Sequence, residues 1–284
     1  MARLLDRAID SAGERLVLLA PAAVSAEVFH HIDVDVARHR QLISDMQRMR
    51  GQAYLADGAI THEQLTADGR HCTEEDDRSW HILSLDDDGS VTGCAWYLEH
   101  PITVSVRQLR VRRCPLASAV DWRPRLWTAV DSELRRARRD GLNYVEVGGW
   151  AVSETHRTSV EGLLLALAGY SLGRLRGGCL GMTTATVRHC SSTILRRIGG
   201  APLDANGTEL PSYYDPRYRC EMQILRFDSR RPNERYGEIV DRLCERLTNV
   251  EVVSRVERPM PGVAITAPVW SPPIRRDRPT ILAS

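Results

Sequence analysis

Apolar residues recur at helical spacing through Val36, Leu42, Ile43, Met46, Met49 and Ala53, within residues 34–56. That period places them on one stripe and predicts an amphipathic helix. A polar stretch follows to about residue 78. Residues 79–85 and 91–98 then read as strands around Asp87, Asp88, Gly89 and Ser90, a hairpin signal. Residues 103–111 (TVSVRQLRV) alternate and predict a third strand. The helical period returns over 125–140 through Leu126, Trp127, Val130, Leu134 and Ala137, and Gly141 ends it. Residues 142–152 (LNYVEVGGWAV) form an apolar, β-branched run that predicts a central strand. The Gly148-Gly149 pair inside it indicates a bulge or a close backbone approach.

Helices are expected over 155–175 and 187–198, with a strand over 179–186 between them. A late strand is expected over 218–228 and a late helix over 239–247. From residue 258 onward, six of the chain's 14 prolines fall within 27 residues, which predicts an extended or disordered tail. A strand meander followed by alternating helices and strands predicts a mixed α/β sheet. The expected organisation is an extension over 1–33, a single domain over 34–250 and a Pro-rich tail over 251–284.

Composition narrows the function classes. The chain has 284 residues, 43% hydrophobic and 26% charged, enough for a sizeable core. A net charge of +1 argues against nucleic-acid binding by bulk electrostatics. No run approaches the roughly 20 apolar residues of a membrane span. Residues 15–24 (RLVLLAPAAV) faintly resemble a signal-peptide core, but Asp6, Asp10 and Glu14 precede them where a basic region belongs. A short strand or loop is the expectation there. Seven cysteines with no CxxC pair predict reduced thiols and a cytoplasmic location. No His or Cys spacing suits a metal, so none is expected.

All 38 basic residues are Arg. Without Lys there is no Schiff base for pyridoxal phosphate (PLP) and no Walker A phosphate lysine. Charge is also segregated. Residues 57–88 carry a net charge of −8 and residues 107–139 a net charge of +7. Such blocks are solvated faces or, for the basic one, a docking surface for an acidic partner.

Four stretches resemble a known family. The run over 143–152 (NYVEVGGWAV), followed by 153–157 (SETHR), looks like the fourth strand and following turn of GNAT acyltransferases. Residues 49–54 (MRGQAY), 76–81 (DDRSWH) and 89–94 (GSVTGC) are similar to the opening segments of acyl-homoserine-lactone synthases and N-acyl amino acid synthases. The resemblance covers roughly 36–228. It implies a GNAT-like fold, three-layer αβα with a splayed central sheet. It also implies an acyl-thioester donor, acyl-CoA or an acyl carrier protein, whose pantetheine meets Trp150, Val152, Arg157, Thr158, Ser159, Val160 and Gly162.

Two positions depart from the pattern. Val160 stands where coenzyme A users carry the first Gly of their pyrophosphate loop, which weakens backbone approach to a phosphate. Gly149 stands where lactone synthases carry an Arg, three residues after the strand acid.

Acyl transfer to an amine needs a base, N–H donors for the thioester carbonyl and an acid for the leaving thiolate. Glu146, a carboxylate within a central strand, is the candidate base or acceptor anchor. Its alternative is an Arg-paired or exposed position. Asp77 or Asp76 suits an acceptor ammonium, Arg50 suits closure over the acyl chain or pairing with Asp77, and His189 suits a proton relay. Each has an ordinary surface alternative. Residues 183–192 either line an acceptor pocket or cap a helix. The expected function is transfer of an acyl group, long-chain by the resemblance, to an amino-acid-like amine. The alternatives are an acetyl-CoA-dependent acetyltransferase and an inactive GNAT-like scaffold. The basic block over 107–139 is the candidate surface for an acidic carrier protein.

Overall fold

A computed structural model describes residues 9, 15–21, 28–157 and 160–255. The strands are β1 (Leu16–Leu19), β2 (His31–Val34), β3 (Trp80–Leu85), β4 (Val91–His100), β5 (Asn143–Val152), β6 (Cys179–Thr186), β7 (Ala201–Pro202), β8 (Asp204–Ala205), β9 (Thr208–Glu209), β10 (Tyr213–Asp215), β11 (Cys220–Asp228) and β12 (Glu251–Ser254). The helices are α1 (Val36–Ala56), α2 (Arg123–Arg139), α3 (Glu161–Leu175), α4 (Ser191–Arg197) and α5 (Glu234–Leu247). Ten strands form one mixed sheet in the order β10-β11-β6-β5-β4-β3-β1-β12-β2, with β7 also on β11.

Strand alternation assigns the two faces. In β1, Leu16 and Leu18 join the core under α3 and α5, while Val17 and Leu19 join the core under α1. In β3, Trp80 and Ile82 face α3 and Leu83 faces α1. A third core packs α2, through Leu126, Val130 and Leu134, onto Tyr144, Leu180 and Met182. The result is the expected αβα sandwich. Helix α1 starts where the Asp35 side chain accepts the Arg38 N–H at 2.8 Å, and it buries Leu42, Met46, Met49 and Ala53. Helix α3 is apolar nearly all round because it is covered twice, by the sheet and by α5.

β5 and β6 run parallel, but they pair only from Asn143↔Cys179 to Glu146↔Met182. Beyond that point β5 continues on β4 and β6 continues on β11, so the two strands part. This is the splay that the resemblance implied.

Some expectations need correction. Residues 103–111 are not a strand but 3-10 turns, Val106–Gln108 and Arg110–Arg113. Both edges of β4 are already taken by β3 and β5, so no ladder is open to them. Their alternating Val104, Val106, Leu109 and Val111 are buried against α2 instead. The helix expected over 155–175 begins only at Glu161, after a 3-10 turn at Glu154–His156. The helix expected over 187–198 is interrupted at Cys190, whose φ of 61° breaks the helical path before α4. Helix α5 starts earlier than expected, capped by Asn233.

Strands from both flanks join the sheet. β1 and β2 come from the stretch read as extension, and β12 from the first residues of the stretch read as tail. β12 lies parallel between them. Arg38 of α1 clamps β12 through Glu251, at 2.7 Å to Oε2. The tail beyond residue 255 and residues 22–24 of the signal-like run lie outside the described residues. Among the described residues, no helix is long and apolar enough to cross a membrane. None of their His, Cys, Asp and Glu side chains form a group able to hold a metal ion.

Candidate active site

The site begins at a defect in β5. The β4–β5 register shifts between Cys94 and Trp96, so Gly149 and Trp150 together oppose Ala95. This bulge is the one that the Gly148-Gly149 pair predicted. Gly149 has φ +60°, and a Cβ there would lie 2.2 Å from Trp96 Cδ1. A Cβ on Gly148 would lie 2.5 Å from the same ring. The two glycines leave room for the Trp96 indole against the β5 backbone. Gly149→Ala is expected to cost about 2–5 kcal/mol in urea unfolding, from left-handed strain plus overpacking. A loss under about 1 kcal/mol would show that the indole can move away.

Three parts converge beside the bulge. The first is Glu146, 4% exposed. Its carboxylate accepts the His100 Nε2 contact at 3.0 Å and the backbone N–H groups of Arg110 at 3.0 Å and Val111 at 3.3 Å. The 3-10 turn that replaced the expected strand supplies those two N–H donors. The second part is Arg110 itself. Its guanidinium lies 5.1 Å from the centre of the Trp96 ring, pairs with Glu75 at 3.3 Å and reaches the Tyr218 hydroxyl at 3.4 Å.

The third part is Arg50, 1% exposed, which holds Asp76 with both terminal nitrogens at 2.9 and 2.7 Å and donates to the His71 carbonyl. Asp76 also accepts from Gln47 and from the backbone and hydroxyl of Thr73. Burial would raise its carboxyl, but the Arg50 hydrogen bonds and charge override that and hold it well below the usual range. Burial lowers His81 and His71 to about 4 each, with the Arg50 charge adding to both.

A cavity of about 200 Å³ opens between the parted strands. Gly148, Gly149, Trp150, Glu146, Arg110 and Tyr218 line it, as do Thr183, Thr184, Thr186, Arg188 and Ser191 of the polar stretch singled out in the sequence. Its other end is apolar, with Leu165, Ala166 and Gly169 of α3 opposite Leu225 and Phe227 of β11.

The predicted donor-side residues are partly assembled. Trp150 Nε1 donates to the Gly162 carbonyl at 3.0 Å, and Val152 packs beside it, with Cγ2 3.5 Å from where a Gly162 Cβ would lie. Arg157 turns away to α1, to Asp57 at 2.6 Å and the Ala53 carbonyl at 3.0 Å. Val160 occupies the N-cap of α3 and contributes no side-chain cap. Thr158 and Ser159 lie outside the described residues, as does the side chain of His189.

Arg50 pairs with Asp76 and not with Asp77. The Asp77 side chain is 80% exposed, contacts Arg255 at 3.1 Å and is absent from the cavity lining. Sequence reasoning missed His100, Arg110, Trp96, Glu75 and Tyr218. His100 stands two positions beyond Leu98, the partner of Glu146 across the ladder, so only the β4–β5 register reveals it.

The opposed charge blocks meet here. Arg110 pairs with Glu75 and Arg113 with Glu74, across the acidic and basic stretches. Much of the remaining basic block is also engaged, Arg135 with Asp131, Arg136 with Asp228 and Arg138 with the Ile102 and Val104 carbonyls. Arg107, Arg112 and Arg123 gather around Trp127 in a separate open depression.

Parted parallel strands, a glycine bulge and a helix starting at the gap define a GNAT-like acyltransferase fold. Comparison with solved structures shows the same architecture. A CoA-dependent acyl-homoserine lactone synthase, BjaI, solved with SAM and isopentyl-CoA, superposes at TM-score 0.50 with 17% identity, over 86% of this chain and 94% of that one. The same synthase with MTA gives the same values. FeeM, an N-acyl amino acid synthase from uncultured soil microbes, overlaps more weakly, at TM-score 0.42 and 12% identity over 68% of this chain and 87% of that one. No family model and no curated protein sequence matches the chain.

Proposed function

We propose that the chain is an N-acyltransferase that moves an acyl group from a pantetheine thioester to the amine of an amino-acid-like acceptor. One observation carries this reading: a single cavity between parted strands holds a buried carboxylate, a glycine bulge and an apolar end. The acceptor nitrogen attacks the thioester carbonyl carbon, a C–N bond forms and the C–S bond breaks. Glu146 takes the amine proton, and His100 steadies its carboxylate. The backbone N–H groups at Gly149 and Trp150, set outside the ladder pairs, face the developing oxyanion. The thiolate leaves and takes up the proton that Glu146 accepted, giving the free thiol. Trp150, Val152 and Gly162 form the wall for the pantetheine arm. Arg50 fixes the bulge from behind.

Arg110 and Arg188 favour an acceptor that carries a carboxylate, because planar guanidinium forks match that group. They supply positive charge that Gly149 does not.

The donor has two candidate forms, coenzyme A and an acyl carrier protein. Val160 at the start of α3 favours the carrier protein, which brings no adenosine-linked pyrophosphate. The depression of Arg107, Arg112, Arg123 and Trp127 is where an acidic carrier would dock. The test is release of free thiol from acyl-CoA and acyl-carrier thioesters, with amino acids and S-adenosylmethionine as acceptors. Thiol release that requires an acceptor, with the acylated amine seen by mass spectrometry, is the expected result. No release with any donor and acceptor pair would overturn the reading in favour of a binding scaffold.

A further inference from the structure

The apolar end of the cavity is not uniformly apolar. Tyr170 lines it and is 5% exposed, yet its hydroxyl has no hydrogen-bond partner among the described residues. A buried phenol without a partner costs free energy unless something supplies one. Its ring is fixed against Phe227, with centroids 5.5 Å apart, and its hydroxyl would lie 3.1 Å from a Cβ on Gly199. Phe227 is fixed in turn, because Gly181 leaves room for its ring.

Leu165, Ala166, Gly169 and Tyr170 fall on one stripe of α3, and a Cβ on Gly169 would meet nothing within 4 Å among the described residues. That stripe leads from the bulge end towards Tyr170. Gly162, which touches Trp150, and Tyr170 are eight residues apart, about 12 Å along a helix. An acyl chain with its thioester at the bulge would therefore bring its distal part, not its first carbons, to the phenol.

Resting on the acyltransfer reading, we propose that the preferred acyl donor carries an oxygen, as hydroxyl or carbonyl, on the distal part of its chain, and that Tyr170 recognises it by hydrogen bonding. A purely hydrocarbon tail would leave the phenol unpaired. The test is calorimetry of the full-length protein with acyl-pantetheine thioesters, the part that both donor forms share, in a series of chain lengths. At each length, one thioester ends in a methyl group and its match in a terminal hydroxyl. At the best-fitting length, the hydroxylated thioester is expected to bind about tenfold tighter, the size of one net hydrogen bond. Tyr170→Phe is expected to bring the two thioesters level. Equal affinities in the unaltered protein, with thioester binding and transfer intact, would overturn the tail assignment alone. A preference that survives in Tyr170→Phe would overturn Tyr170 as its source. No binding of any thioester would overturn both this inference and the donor reading beneath it.

Discussion

Glu146→Gln is expected to lower the turnover rate of acyl transfer by a factor of about 10²–10⁴, the usual contribution of a positioned general base. Donor affinity is expected to change little, because in the proposed mechanism the carboxylate serves the reacting amine and not the pantetheine wall. A fall in kcat without a matching rise in KM is the signature of a group that acts in the transition state. The variant should still fold. Its retained carbonyl oxygen can accept one backbone N–H. Its new amide N–H would oppose another donor of the set formed by Arg110, Val111 and His100. One such mismatch costs about 1–3 kcal/mol. Normal turnover in the variant would remove Glu146 from the mechanism and leave it as a structural anchor of the 3-10 turn. Single-turnover thiol release and urea unfolding on the same preparation separate these outcomes.

The alternative sequence reading of Glu146, a carboxylate paired with an arginine, meets a different geometry, although the two charges do interact. It is the backbone of Arg110 that binds Glu146, and the Arg110 guanidinium reaches Glu75. Local pattern could not show this. The α1 stripe, the α2 stripe and the apolar β5 run are each set by neighbours within a few positions, so periodicity exposes them. The Gly148-Gly149 bulge was legible for the same reason, since two adjacent glycines inside a β-branched run have few other uses.

The partners of the site come from far along the chain. The Arg110–Glu75 pair spans 35 positions, and the joining of β1 to β12 spans most of the chain. Residues 103–111 failed as a strand because alternation reports burial of one face and not the presence of an open sheet edge. The charge blocks were visible as composition, but their mutual pairing needed the fold.

The Arg50–Asp76 pair should be the most costly to break. Arg50→Met is expected to destabilise the protein by about 3–5 kcal/mol, because it strands a buried carboxylate. Asp76→Asn should cost less, since Thr73 and Gln47 still find an acceptor, and Arg50 keeps the His71 carbonyl. Arg50→Lys should not rescue the loss, because an ammonium cannot match two carboxylate oxygens and that carbonyl together. Large losses from single variants do not make the pair a net source of stability. The Arg50 Nε has no partner among the described residues, and both groups surrender hydration on burial. An apolar pair, Arg50→Met with Asp76→Leu, is therefore expected to recover most of the stability lost in Arg50→Met alone. Transfer activity should not return with it. Arg50 Nη1 would lie 3.1 Å from a Cβ on Gly149, beside Trp96, next to the backbone proposed to meet the thioester. Full activity in a stable double variant would show that the pair only holds the fold. A stable but slow double variant would place Arg50 in the positioning of the bulge.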